Sequence, residues 1–165
     1  MPLHAVFRER LQQMGEQSKR VLVVDDDAGL RSLLTATLRR RGLHVDEAAD
    51  GEQALALAST NQYAVMLLDL LMPVLDGFGV LDRISKDELA PSPVVLVITG
   101  ADRSAIDRVG AHRVHGIVRK PFDIEEIANV VVACAEIRER SSFETMAIAT
   151  MIAGGPFLAL LNRLP

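Results

Sequence analysis

Four short apolar runs in this chain end in residues able to do chemistry. Val21-Leu22-Val23-Val24 runs into Asp25-Asp26-Asp27, and Ala64 to Leu68 runs into Asp69. Val94 to Ile98 ends in Thr99, and Gly116-Ile117-Val118 leads to Lys120-Pro121. Carboxylates crowded within hydrogen-bonding range repel one another, and their pKa values rise unless a cation intervenes. Oxygen ligands without His or Cys select Mg²⁺, with Mn²⁺ as the alternative, rather than zinc. A lysine ammonium is a point charge suited to a phosphoryl group, and a threonine hydroxyl can donate to a second phosphoryl oxygen. The set reads as a phosphoryl site with a metal and one carboxylate free to attack. The histidines (His4, His44, His112, His115) share no ligand spacing, and Cys134 is the single cysteine, so Cys-based zinc and disulfide readings fail.

The apolar runs are short, continuous and Val/Leu/Ile-rich, as strands buried on both faces of a parallel sheet read. His44 to Ala48 is a poorer strand and suits an edge. Between them lie helical patterns. Leu30, Leu33, Leu34, Thr37 and Leu38 recur at helical spacing, followed by Arg39-Arg40-Arg41 and Gly42 as a stop. Asp50-Gly51 opens a second helix, and a third follows Asp76-Gly77 to about Leu89. A fourth spans about 102–111. A fifth starts at Asp123, with Glu126 as its capping pair, and stacks Ile127, Val130, Val131, Cys134 and Ile137. The order is α/β, five βα units from about 19 to 140. Right-handed crossovers make that a doubly wound open parallel sheet with helices on both faces. In such a sheet the ligand site lies off the carboxyl ends of the strands, where all four chemical endings fall.

Composition narrows the class. The chain has 165 residues, 49% apolar and 24% charged, which excludes a disordered tail, a collagen or a coiled coil. The net charge of −4 gives no general attraction to nucleic acid or an anionic membrane, and low aromatic content argues against base stacking. The first residues lack the apolar stretch of a signal peptide, so a cytoplasmic setting is expected. Residues 1–18 suit an amphipathic helix on Leu3, Val6, Phe7, Leu11 and Met14, and 141–165 form an apolar extension. That extension is broken by Gly154-Gly155-Pro156, so packing on protein is expected rather than membrane insertion. The partner is the chain's own core, the N-terminal amphipathic helix or a second copy, the last giving a homodimer through the terminal segments.

The quoted motifs, with Asp69-Leu70-Leu71-Met72-Pro73 and Asp76-Gly77 behind the third strand, resemble the response regulator receiver domain of two-component signalling. The resemblance covers about 19–140. It implies a flavodoxin-like sandwich of sheet order 2-1-3-4-5, with Asp69 as phosphoacceptor. Asp25, Asp26, Asp69 and the backbone carbonyl of Leu71 would hold Mg²⁺, and Thr99 and Lys120 would bind phosphoryl oxygens. Pro121 would follow a cis bond. The donor would be a sensor histidine kinase or a histidine phosphotransfer protein, and output would pass to another protein. Receivers mostly carry an aromatic residue where Ile117 stands, so the switch through Thr99 and Ile117 departs from the pattern. Leu71 and Ala101, two beyond Asp69 and Thr99, are apolar and cannot orient a hydrolytic water, which implies a long-lived phosphoryl group. A relay shuttle, or a scaffold acting through the tails, are the other readings.

Overall fold

The chain's structure, a computed structural model, describes residues 19–86, 92–109 and 114–152, with 142–152 as helix backbone only. Strands and helices alternate: β1 (Arg20–Val24), α1 (Ala28–Arg40), β2 (His44–Ala48), α2 (Gly51–Thr60) and β3 (Val65–Leu68). Then follow α3 (Gly77–Ser85), β4 (Val94–Thr99), α4 (Arg103–Val109), β5 (Gly116–Arg119) and α5 (Ile124–Ile152). Every strand pairing is parallel, in the order β2-β1-β3-β4-β5. This is the doubly wound flavodoxin-like sandwich, and the polar strand His44–Ala48 is indeed an edge.

The central strands are buried on both faces, and alternate residues divide between two cores. Leu22, Val24, Met66, Leu68, Val95 and Val97 pack with Ala54 of α2, Phe78, Leu81 and Ile84 of α3, and Val109 of α4. Val21, Val23, Val65, Leu67, Leu96 and Ile98 pack with Leu34 and Leu38 of α1 and with Ile127, Ala128, Val131 and Ala135 of α5. Each Val, Leu, Ile, Phe or Met side chain among them, when fully buried, contributes about 1.5–3 kcal/mol.

Aspartates start the helices. Asp27, Asp50 and Asp76 cap α1, α2 and α3, and Asp123 accepts from the amides of Glu125 and Glu126. α1 stops as its sequence suggests: Gly42 sits at φ +81°, its amide bonds to Arg39, and the Leu43 amide bonds to Leu38.

Two boundaries differ from expectation. α3 ends at Ser85, with Lys86 as its cap, short of Leu89. α4 is described over Arg103–Val109, and the end expected near 111 lies outside the described residues. α5 does not stop near Arg140 but runs to Ile152, into the segment read as a separate extension. The reason is plain in the sequence: no Gly or Pro lies between Pro121 and Gly154. Ser141 stays in the helix by donating to the Ile137 carbonyl at 3.1 Å. The expected helix over 1–18 and the last part of the extension, 153–165, lie outside the described residues. Among the described residues no helix is long and apolar enough to cross a membrane.

Candidate functional site

The register of the sheet levels its carboxyl edge. Val24 pairs with Ala48 and with Leu68, and Thr99 pairs with Arg119. The ladder then continues one residue further at three places. The Asp25 amide donates to Ala48 at 3.2 Å, the Asp69 amide to Val24 at 2.9 Å, and the Lys120 amide to Thr99 at 2.9 Å. Each chemical residue therefore leaves the sheet with its backbone still held by a neighbouring strand.

Their side chains converge. Lys120 Nζ donates to Asp25 Oδ2 at 2.7 Å and to Asp69 Oδ2 at 2.5 Å. The other oxygens are turned by backbone amides: Asp27 donates to Asp25 Oδ1 at 2.9 Å, and Leu71 donates to Asp69 Oδ1 at 3.1 Å. Asp25 and Asp69 are buried, while Asp26 is exposed. One carboxylate oxygen from each of Asp25, Asp26 and Asp69 lies within 4.8 Å of the others. Three carboxylates against one ammonium leave an excess of negative charge on hard oxygen donors. That donor set fits Mg²⁺ or Mn²⁺ and offers nothing to a soft metal.

Burial pushes the Asp25 carboxyl above the usual carboxylate value, against the opposing pull of Lys120 and of the Asp27 amide. Burial alone would pull the Lys120 ammonium down. Its hydrogen bonds to Asp25 and Asp69 outweigh that and hold it above the ordinary lysine value. Lys120 is therefore a cation at neutral pH. Asp27, by contrast, is held low by the amides of Leu30 and Gly29, as befits a helix cap.

Thr99 is completely buried, and its hydroxyl accepts from the Ala101 amide at 3.1 Å. The Lys120–Pro121 peptide is cis. Leu71 is exposed, and Ala101 is buried. Ile117 does not join the cluster: it lies on β5, paired with Val97, with its side chain 40% exposed. Cys134 is half-buried on α5, and burial pushes its thiol up. His115 bonds within the sheet, its Nδ1 accepting from the Val95 amide at 3.1 Å.

Two residues at the site were given no role there from the sequence. Gly77, quoted only within the Asp76-Gly77 motif, lies against the Asp69 backbone; a Cβ there would come within 2.3 Å of the Asp69 carbonyl oxygen. Arg31 donates from Nη1 to the Asp25 carbonyl at 2.7 Å. Its spacing of six from Asp25, one turn into the helix that follows, is the only sequence signal it carries.

Comparison with known proteins bears on this geometry. The family model described as the response regulator receiver domain matches residues 21–132. The "Probable transcriptional regulator ycf27" of Guillardia theta is 34% identical over 151 residues, 90% of this chain and 58% of that protein. The "DNA-binding dual master transcriptional regulator RpaA" of Synechocystis is 34% identical over 118 residues, 66% of this chain and 45% of its own length. The chain thus spans about half the length of the curated relatives it matches. Among solved structures, the Francisella response regulator 1452 receiver domain is 28% identical with a TM-score of 0.65, covering 72% of this chain and 97% of that one. The chemotaxis protein CheY4 of Vibrio cholerae is 28% identical with a TM-score of 0.63, covering 70% and 97%.

Proposed function

The chain belongs to the response regulator receiver family of two-component systems, and from that premise we propose that it is a Mg²⁺-dependent switch phosphorylated on Asp69. The observation that carries this reading is the bridge of Lys120 between Asp25 and Asp69, beside Asp26, at one edge of the sheet. A sensor histidine kinase or a histidine phosphotransfer protein is the donor. Asp69 Oδ attacks the phosphorus of its phosphohistidine, the P–N bond breaks, and the electron pair leaves with the imidazole. Lys120, already cationic, offsets the charge on the transferred oxygens. Asp25, Asp26, Asp69 and the Leu71 carbonyl would hold Mg²⁺, which supplies further charge neutralisation when bound. The Thr99 hydroxyl, whose oxygen accepts from the Ala101 amide, keeps its own hydrogen to donate to a phosphoryl oxygen. This catalysis serves only the protein's own modification.

Output goes to another protein. The net charge of −4 supports that over nucleic acid, although matched relatives bear the names of transcriptional regulators. Ile117 at the place of the usual aromatic residue favours relay or docking over a conventional switch face, and a cytoplasmic setting suits all of these. A homodimer through the terminal segments accords with the continuation of α5 to Ile152; light scattering at micromolar concentration that reads a monomer removes it. Because Leu71 and Ala101 offer no polar side chain to an attacking water, the phosphoryl group is expected to persist. Rapid loss of phosphate from the purified protein would contradict that.

The deciding experiment is intact mass after incubation with a small acyl phosphate. One phosphoryl group should appear, requiring both Mg²⁺ and Asp69, and none on Asp69→Ala. No gain with the wild type under any condition rejects the reading.

A further inference from the structure

Arg31 carries no candidate ligand atom and lies on the second turn of α1, yet it reaches back into the acidic loop. Its Nη1 donates to the Asp25 carbonyl at 2.7 Å, and its Nε lies 3.6 Å from Glu47 Oε2 on β2. Its side chain is only 16% exposed. The carbonyl it holds belongs to the peptide that joins Asp25 to Asp26. That one peptide plane sets where the two carboxylates stand relative to each other. The Asp25 amide is fixed by Ala48, the residue after Glu47 on the same strand. A guanidinium on a carbonyl is a charge-assisted bond, stronger than a neutral one. Glu47 stands on the Nε side of the guanidinium as an ion pair and offsets part of its charge.

We propose that Arg31, oriented by Glu47, is a positioning residue for the metal site: it fixes the Asp25–Asp26 peptide so that both carboxylates face one cation. This rests on the reading of Asp25, Asp26 and Asp69 as a Mg²⁺ site. The clasp ties that site to β2, the edge strand, which no ligand occupies.

Charge and positioning have opposite signs here, and this makes the idea testable. If Arg31 acted through its charge, removing it would tighten Mg²⁺ binding. If it acts by positioning, removing it weakens binding, by about tenfold as for other residues that orient metal ligands. The experiment is calorimetric titration of the full, unphosphorylated chain with Mg²⁺. Arg31→Met should weaken binding about tenfold, and Glu47→Gln should weaken it in the same direction. The double variant should be no weaker than Arg31→Met alone, because the two side chains act as one unit. Phosphorylation by acyl phosphate should recover in Arg31→Met at saturating Mg²⁺. Melting in chelator checks folding; a merely structural role lowers that melting temperature and leaves the Mg²⁺ affinity of the folded protein unmoved. Unchanged or tighter binding in Arg31→Met, or fully additive losses in the double variant, overturns the proposal. If Arg31→Met does not fold, Arg31→Lys, which keeps the charge and loses the fork, is judged instead: weaker Mg²⁺ binding supports positioning and unchanged binding overturns it. A wild type that binds no Mg²⁺ overturns the metal-site reading itself; a wild type that binds, with variants that bind equally well, overturns only the role of Arg31.

Discussion

Lys120 sits between two carboxylates that a divalent cation also needs. The ammonium and the metal therefore compete electrostatically for the same negative charge, and the lysine is kept for what it does once a phosphoryl group arrives. Lys120→Met should bind Mg²⁺ more tightly than the wild type. It should also accept phosphate from acyl phosphate at least about a hundredfold more slowly, as for loss of one preorganised charge-stabilising donor. Calorimetry and time-resolved intact mass would read the two effects, and a parallel loss of both would show the lysine to be structural. The identities of Asp25, Asp26, Asp69, Thr99 and Lys120 were legible because each ends an apolar run, and the topology of a parallel sheet sends all such ends to one rim. The bridge of Lys120 to Asp25 and Asp69 together was not legible, since it depends on side-chain reach across strands far apart in sequence.

At the scale of elements, the strands, their parallel pairing and the helix starts could be read from hydrophobic runs and capping aspartates. Helix ends could not, where the stop signal is weak: α5 passes Arg140, with neither Gly nor Pro before Gly154, while α2 and α3 end at Asn61 and Lys86 without either residue. Close approaches between segments were also invisible. Gly77 opens α3 with its amide on the Leu70 carbonyl at 3.1 Å, packed directly on the Asp69 backbone. Gly77→Ala should destabilise the fold by about 1–3 kcal/mol through overpacking, since the atoms it meets are backbone and cannot swing aside. Denaturant midpoints would measure it, and a midpoint equal to the wild type would mean that the α3 start moves freely. The same loop holds Val74 at φ +67°, a left-handed conformation that a β-branched residue adopts only under constraint.

For the whole molecule, one titration reports on the fold. Tyr63 is the only tyrosine, and there is no tryptophan. It is buried, with its hydroxyl donating to Asp46 Oδ2 at 2.8 Å. Burial first, and then the Asp46 carboxylate, push its pKa well above the ordinary tyrosine value. The folded state keeps a proton that the unfolded chain releases at that ordinary value. The stabilisation is therefore complete below it and is lost as pH rises beyond it. In an alkaline titration the phenolate absorbance should appear together with the loss of helical circular dichroism. Phenolate formed near the ordinary tyrosine value in a still-folded protein would contradict the Tyr63–Asp46 pairing.

The uninterrupted course of α5 has a mechanical consequence. Its first turn follows directly on Lys120 and Pro121, and its 29 residues extend about 43 Å along the axis. Among the described residues, its core side chains are Ile127, Ala128, Val131 and Ala135. From Ala135 to Ile152 the backbone continues as one helix for about 25 Å, so a tilt of about 5° at Ala135 sweeps Ile152 through about 2 Å. A small change of helix direction beside the acceptor is thereby carried to Ile152 with no break in the helix between.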